Sequence, residues 1–198
     1  MSVDIKDIKR LRELTGVGMT DAKQALESSK GDFDTALKEM RKKGLTKAEK
    51  RSEREVRSGV IGTYNHDNRI GVIVEINCET DFVARNELFL QLVKDIAMQI
   101  AASNPEYLNL DDVSSDVQQN LHEEFAAKAK AEGKPANKID QIVEGQIQKF
   151  LSEKCLLSQP FIKNPEQAVG DYVKDYVARL GENIVIRRFS RFALGEVG

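Results

Sequence analysis

The stretch Cys78-Glu79-Thr80-Asp81-Phe82-Val83-Ala84-Arg85-Asn86 sets an acid and an aromatic side by side between a strongly apolar strand pattern and an amphipathic helix pattern. Strand-to-helix corners push side chains outward from a rigid scaffold, so such a pair can probe a partner's pocket. An Asp at this place can equally start the helix while the Phe packs beneath it, and capping is the commoner use. From these residues alone both readings stand.

Elsewhere the chain is poor in groups that do chemistry. His66 and His122 are its two histidines, one beside a turn pattern and the other on a polar helix. Neither has a carboxylate, thiol or nucleophilic hydroxyl at a recognisable spacing, as a metal or triad histidine requires. Cys78 and Cys155 lack ligand spacing and read as reduced, partly buried thiols. Gly16-Val17-Gly18 is faintly like a phosphate loop, but it follows a helix pattern and lacks the Gly-Lys-Ser/Thr ending. It reads as a tight turn where glycine permits positive φ. Asp111-Asp112 and Glu123-Glu124 read as solvated faces. No catalytic residue, metal site or cofactor is expected, and an enzyme is the least favoured class.

The elements that must position the acid–aromatic pair follow from periodicity. Ile70-Gly71-Val72-Ile73-Val74-Glu75-Ile76 reads as a buried strand before the corner, and Phe89, Leu92, Val93, Ile96 and Ile100 mark one helical face after it. A preceding strand at 59–64 and the turn Asn65-His66-Asp67-Asn68 make a hairpin. Toward the N-terminus, Ile5, Ile8, Leu11 and Leu14 recur at spacings of three. Met19, Ala22, Ala25 and Leu26 follow on a second helix, and Asp32 can cap a third that carries Phe33, Ala36, Leu37 and Met40 and stops at Gly44. Residues 45–58 are charged or small and read as a linker or exposed helix.

After Asn104-Pro105, two narrow apolar stripes suggest an antiparallel helical hairpin at about 112–154. They are Val113, Val117, Leu121 and Phe125, then Ile139, Val143, Ile147, Phe150 and Leu151. A last helix over 166–180 precedes a final strand over 184–194, in which Phe189 and Arg191 alternate with Ser190 and Phe192. Both faces of that strand must meet something, either a second subunit's strand or helices on both sides. The fold class is therefore α+β, with a three-helix head over 1–44, the linker over 45–58 and a core over 59–198 in which an antiparallel sheet packs with helices and a helical hairpin protrudes.

Composition narrows the function classes. Lys+Arg 30 against Asp+Glu 32 leaves the 198-residue chain near neutrality, which argues against a dedicated nucleic-acid binder. No apolar run approaches membrane-spanning length, and Met1-Ser2-Val3-Asp4-Ile5-Lys6 has no signal-peptide core, so a cytoplasmic location is expected.

Two longer motifs carry a resemblance. Leu11-Arg-Glu-Leu-Thr-Gly-Val-Gly-Met-Thr-Asp-Ala-Lys-Gln-Ala-Leu26 and Glu75-Ile-Asn-Cys-Glu-Thr-Asp-Phe-Val-Ala-Arg-Asn86 resemble the two signatures of bacterial elongation factor Ts, and Ser158–Phe161 and Gly181–Phe189 fit as well. The resemblance covers essentially the whole chain. It implies a guanine-nucleotide exchange factor that binds elongation factor Tu–GDP and promotes GDP release by disturbing the magnesium/phosphate site. It implies a ubiquitin-associated-like head that meets the GTPase through Gly16, Val17, Gly18 and Met19. Thr80, Asp81, Phe82 and Val83 would face the magnesium side of the nucleotide pocket, and Tyr64 and His66 would meet the GTPase's third domain. With a single core unit ending at Gly198, the chain looks like the short form, in which two subunits pair through the core sheet. Some short forms carry a cysteine where Ser190 stands, so the homodimer implied here is held without a disulfide. The rival classes are a protein-interaction adaptor, and an RNA-binding module using Lys and Arg of 38–57 and 187–191.

Overall fold

The computed structural model describes residues 3–196. The readings that touch Met1, Ser2 and the end at Gly198 lie outside the described residues, as do the side chains of Leu45, Thr46, Lys47 and Ala136. Helices α1 (Ile5–Thr15), α2 (Met19–Ser28) and α3 (Phe33–Glu49) lead into strands β1 (Ser58–His66) and β2 (Ile70–Cys78). The one-turn α4 (Asp81–Ala84), α5 (Glu87–Ser103), α6 (Ser115–Ala131) and α7 (Ile139–Lys154) follow. The short strands β3 (Pro160–Phe161) and β4 (Asn164–Ala168), helix α8 (Val169–Leu180) and strand β5 (Ile184–Ala193) complete the order. Contacts divide the chain into two compact units, Met1–Ala101 with Asp171–Gly198, and Ala102–Gly170.

In the first unit the three head helices bury Ile8, Leu11, Ala22, Ala25, Leu26 and Met40 together, with Phe33 and Leu37 packed against them. Ile5 and Leu14 are exposed instead. A step of three residues falls roughly 60° short of a full turn, so a stripe spaced by threes winds off the buried arc at both ends. Asp32 caps α3 as expected, accepting from the Asp34 and Thr35 amides at 3.0 and 3.2 Å. Gly44 does not end that helix, which continues to Glu49. A β-carbon on Gly44 would stand 3.4 Å from the Ala178 methyl, an ordinary contact, so the glycine sits against α8 inside the helix and is not a stop. Beyond Glu49 the charged stretch is tied down by polar bonds. Arg51 donates to the Val177 carbonyl at 3.3 Å, and the Asn183 side chain donates to the Ser52 and Arg54 carbonyls at 3.1 and 2.8 Å.

The sheet has the order β1-β2-β5, antiparallel throughout. Asp67 and Asn68 both have positive φ, and the Arg69 amide donates to the His66 carbonyl at 2.9 Å. That is the type I′ pattern, whose twist matches the flanking strands. One sheet face is buried through Val72, Val74 and Ile76, and α5 covers it closely: a β-carbon on Gly62 would meet Val93 at 2.2 Å. Within this unit α8 is joined to α5 by the Tyr172 hydroxyl, which donates to the buried Asp95 at 2.6 Å. Burial pushes the Tyr172 pKa up, followed by its bonds to Asp95 and Tyr176, so the hydroxyl keeps its proton. The other face carries Ile61, Ile73 and Phe192, all exposed. In β5, Phe189 and Arg191 lie opposite Val74 and Val72, while Ser190 lies opposite Ile73. The alternation therefore divides a helix-covered face from an open one, and helices do not cover both.

The second unit is the expected helical hairpin with a small ribbon. Val113, Leu151 and Cys155 form one cluster with Val117, Leu121 and Phe150 against it. Ala129, Ile139 and Val143 form another with Phe125, and the Phe125 and Phe150 rings meet edge to face at 6.1 Å. Ser114 caps α6, and Asp112 caps the short turn before it by accepting from the Asn109 amide at 2.9 Å. The last helix begins at Val169 rather than 166, because Asn164–Ala168 pairs with Pro160–Phe161 around the buried Phe161. Among the described residues no helix is long and apolar enough to cross a membrane.

Candidate partner-binding corner

β2 is the central strand, and its last pair is Cys78 with Ile184. Two residues further on, Thr80 takes the extended conformation of a helix cap, and its hydroxyl accepts from the Val83 amide at 3.4 Å. Asn86 then caps α5 by accepting from the Leu88 amide at 2.8 Å. The corner is thus framed by two caps, Thr80 and Asn86, which fix a single helical turn between strand and helix.

That turn sorts its side chains. Val83 and Ala84 are 5% and 7% exposed, whereas Phe82 is 79% exposed. Phe82 does not pack beneath the helix; the two residues after it take the inner positions. Val83, expected among the partner-facing residues, is a core residue whose branched side chain anchors the turn. Thr80, not Asp81, supplies the capping side chain. Asp81 instead reaches the Arg85 guanidinium at 3.1 Å, with both side chains in solvent. Such a pair contributes only about 0–1 kcal/mol, so the Asp81 carboxylate can be redirected cheaply.

Behind the corner lies a polar clasp. One Glu182 oxygen accepts from the Glu79 and Thr80 amides at 3.1 and 3.0 Å, and the other accepts from the Thr80 hydroxyl at 2.6 Å. In return Glu79 accepts from the Asn183 amide at 2.6 Å and lies 3.5 Å from the Arg54 guanidinium. The Cys78 thiol donates to the Thr80 carbonyl at 3.2 Å. Burial, and after it the Glu182 charge, push the Cys78 pKa from an ordinary 9 up to about 11. The thiol therefore stays protonated as a donor and is a poor nucleophile. Periodicity missed Glu182 and Asn183 as supports of the corner. The partners stand 102 or more residues apart, and no local pattern signals a bond of that span.

The other expected site residues fall elsewhere. Gly16 has φ 66°, and a β-carbon on it would lie 2.5 Å from the Arg179 Cα, so the head turn rests on the end of α8. Val17 packs against the head core, while Gly18 and Met19 are exposed. The head turn and the corner thus both rest on the short segment 179–183. Tyr64 and His66 stand toward the opposite end of the sheet, where His66 pairs with Ile70. Their rings stack at 6.1 Å with the Tyr64 hydroxyl 3.2 Å from His66 Nδ1. Among the described residues no group of His, Cys, Asp and Glu could hold a metal ion. The arrangement offers an exposed ring and acid on a fixed turn, suited to contact with another macromolecule.

A family model described as Elongation factor TS matches residues 19–196. The chain belongs to the elongation factor Ts family. Elongation factor Ts of Thermodesulfovibrio yellowstonii is 50% identical over 196 residues, covering 99% of this chain and 98% of that one. That of Carboxydothermus hydrogenoformans is 52% identical over 190 residues, covering 96% and 88%. The protein of the same name from Caldanaerobacter subterraneus subsp. tengcongensis is 50% identical over 195 residues, covering 98% of each. The family model begins at the first residue of α2, and the relatives extend the likeness over α1.

Proposed function

We propose that this elongation factor Ts family member binds the GTPase elongation factor Tu in its GDP form and speeds GDP release during translation, in the cytoplasm. The observation that carries the mechanism is Phe82, 79% exposed on a turn whose cap, Thr80, is bonded to Glu182 and whose Val83 and Ala84 are buried. Exposing an aromatic ring to water is unfavourable, and a ring so placed fits a pocket on a partner. Nucleotide binding to such a GTPase depends on Mg²⁺ bridging protein and phosphate oxygens. Phe82 wedges between partner side chains beside that ion, and Asp81 exchanges its weak bond to Arg85 for contacts that shift the partner's backbone there. The ion and the phosphate then loosen together.

By linkage, a factor that weakens nucleotide binding is itself released by nucleotide to the same extent. It therefore accelerates exchange without choosing GDP or GTP, and breaks no covalent bond. The head turn, through Gly18 and Met19, supplies docking affinity, and the stacked Tyr64–His66 pair forms a second, separate contact. The chain pairs with a second copy through the open sheet face around Ile73 and Phe192, with Ser190 in that face and no disulfide. Mixing the purified chain with elongation factor Tu carrying fluorescent GDP tests the function. Release accelerated in proportion to added factor is expected; an unchanged rate contradicts it.

A further inference from the structure

We infer that Glu182 is a positioning residue for the Asp81–Phe82 corner. This rests on the exchange reading above and deepens it by naming what aims the wedge. The Glu79 and Thr80 amides come after the last sheet pair, Cys78 with Ile184, and the Glu182 carboxylate receives both of them. Its second oxygen accepts a hydrogen bond from the Thr80 hydroxyl at 2.6 Å, the short distance of a charge-assisted bond. A hydroxyl has one proton and two lone pairs. With the proton committed to Glu182, a lone pair is left facing the Val83 amide at 3.4 Å. Glu182 therefore orients the cap that starts α4, and α4 carries Phe82.

A helix of four residues has almost no stability of its own, so its direction depends on that cap together with the buried Val83 and Ala84. Phe82, in solvent, has little packing to hold it. The return bond from the Asn183 amide to Glu79, and the Asn183 side-chain bonds to Ser52 and Arg54, lock the two turns crosswise. Asn183 is 4% exposed, so the far side of the clasp is fixed in the core.

The test uses the full chain as wild type, Glu182→Ala, Glu182→Gln and Thr80→Val, with Glu182→Ala also built on Phe82→Ala. Amide hydrogen exchange across residues 79–83 is read on the protein alone, and stimulated GDP release from elongation factor Tu is read as a saturation curve. Glu182→Ala is expected to speed exchange at Thr80 and to lower the saturating release rate, each about tenfold, with half-saturation within about threefold of wild type. Glu182→Gln keeps a carbonyl for the two amides but presents an NH2 group to the Thr80 hydroxyl, so its rate is expected to lie between those of Glu182→Ala and wild type. On Phe82→Ala the same substitution adds nothing, because both act through one ring. If Glu182→Ala does not fold, Thr80→Val removes the hydroxyl end of the clasp and lowers the saturating rate in the same way. An unchanged saturating rate, or an additive loss on Phe82→Ala, overturns the inference. Should the wild-type chain not stimulate release, the exchange function fails, and amide exchange at Thr80 alone decides whether Glu182 holds the corner: unchanged protection overturns the inference, and faster exchange upholds it.

Discussion

Phe82 stands in solvent while the residues on either side of it are held in place. Thr80 is bonded through its amide, hydroxyl and carbonyl at once, and Val83 and Ala84 take the buried side. Cys78 belongs to this arrangement as a protonated donor. Its folded pKa, about 11, lies above the ordinary 9, so its contribution is complete below pH 9 and is lost as pH rises through 11. The contribution is at most about 3 kcal/mol for a shift of that size. The urea midpoint should fall between pH 9 and 11, and less steeply in Cys78→Ala; equal slopes would contradict the assignment. What the sequence leaves open at this scale is which way each corner side chain points. Acid next to aromatic is visible in the letters, whereas the exposure of Phe82 and burial of Val83 depend on where a single turn meets the sheet.

Elements are where the sequence reads best. The apolar stripes of α6 and α7 become the two clusters of the second unit, and the hairpin turn falls at Asp67-Asn68. Glycines read less well, because a glycine needed for a turn and one that merely lies within a helix look alike. Gly44 sits inside α3, whereas Gly16 is both a left-handed helix cap and the point where the head meets α8. Gly16→Ala must adopt an unfavourable φ and push against the Arg179 backbone. A loss of about 1–3 kcal/mol is expected, which lowers Tm by roughly 2–12 °C for a chain of this size. An unchanged Tm in calorimetry would show that the turn does not rest on α8. The short ribbon β3–β4 is not legible either, since Asn164-Pro165-Glu166 carries helix-start residues, yet it pairs with Pro160–Phe161, where Phe161 is buried.

At the scale of the whole molecule, one sheet face is covered by helices and the other presents Ile61, Ile73 and Phe192, 59%, 50% and 70% exposed. Glu75 and Arg188 cross this face at 2.7 Å, and that bond holds the Glu75 carboxyl below its ordinary pKa. An open apolar face rimmed by an ion pair suits a second copy of the same sheet. Phe192→Asp should therefore convert a dimer into a monomer in sedimentation equilibrium at micromolar concentration; a wild-type chain that sediments as a monomer there would contradict the pairing. The alternation of Phe189, Ser190, Arg191 and Phe192 is readable as two faces, but not which face stays open, because nothing in β5 itself signals that α5 packs on the side of Val72, Val74 and Ile76. The most direct test of the whole account is fluorescent-GDP release from elongation factor Tu, driven by wild-type chain and by Phe82→Ala. A buried aromatic anchor accounts for about 2 kcal/mol or more, so the variant should stimulate release about thirtyfold less while its Tm is unchanged. Release as fast as with the wild type would mean that the exposed ring is not what opens the nucleotide site.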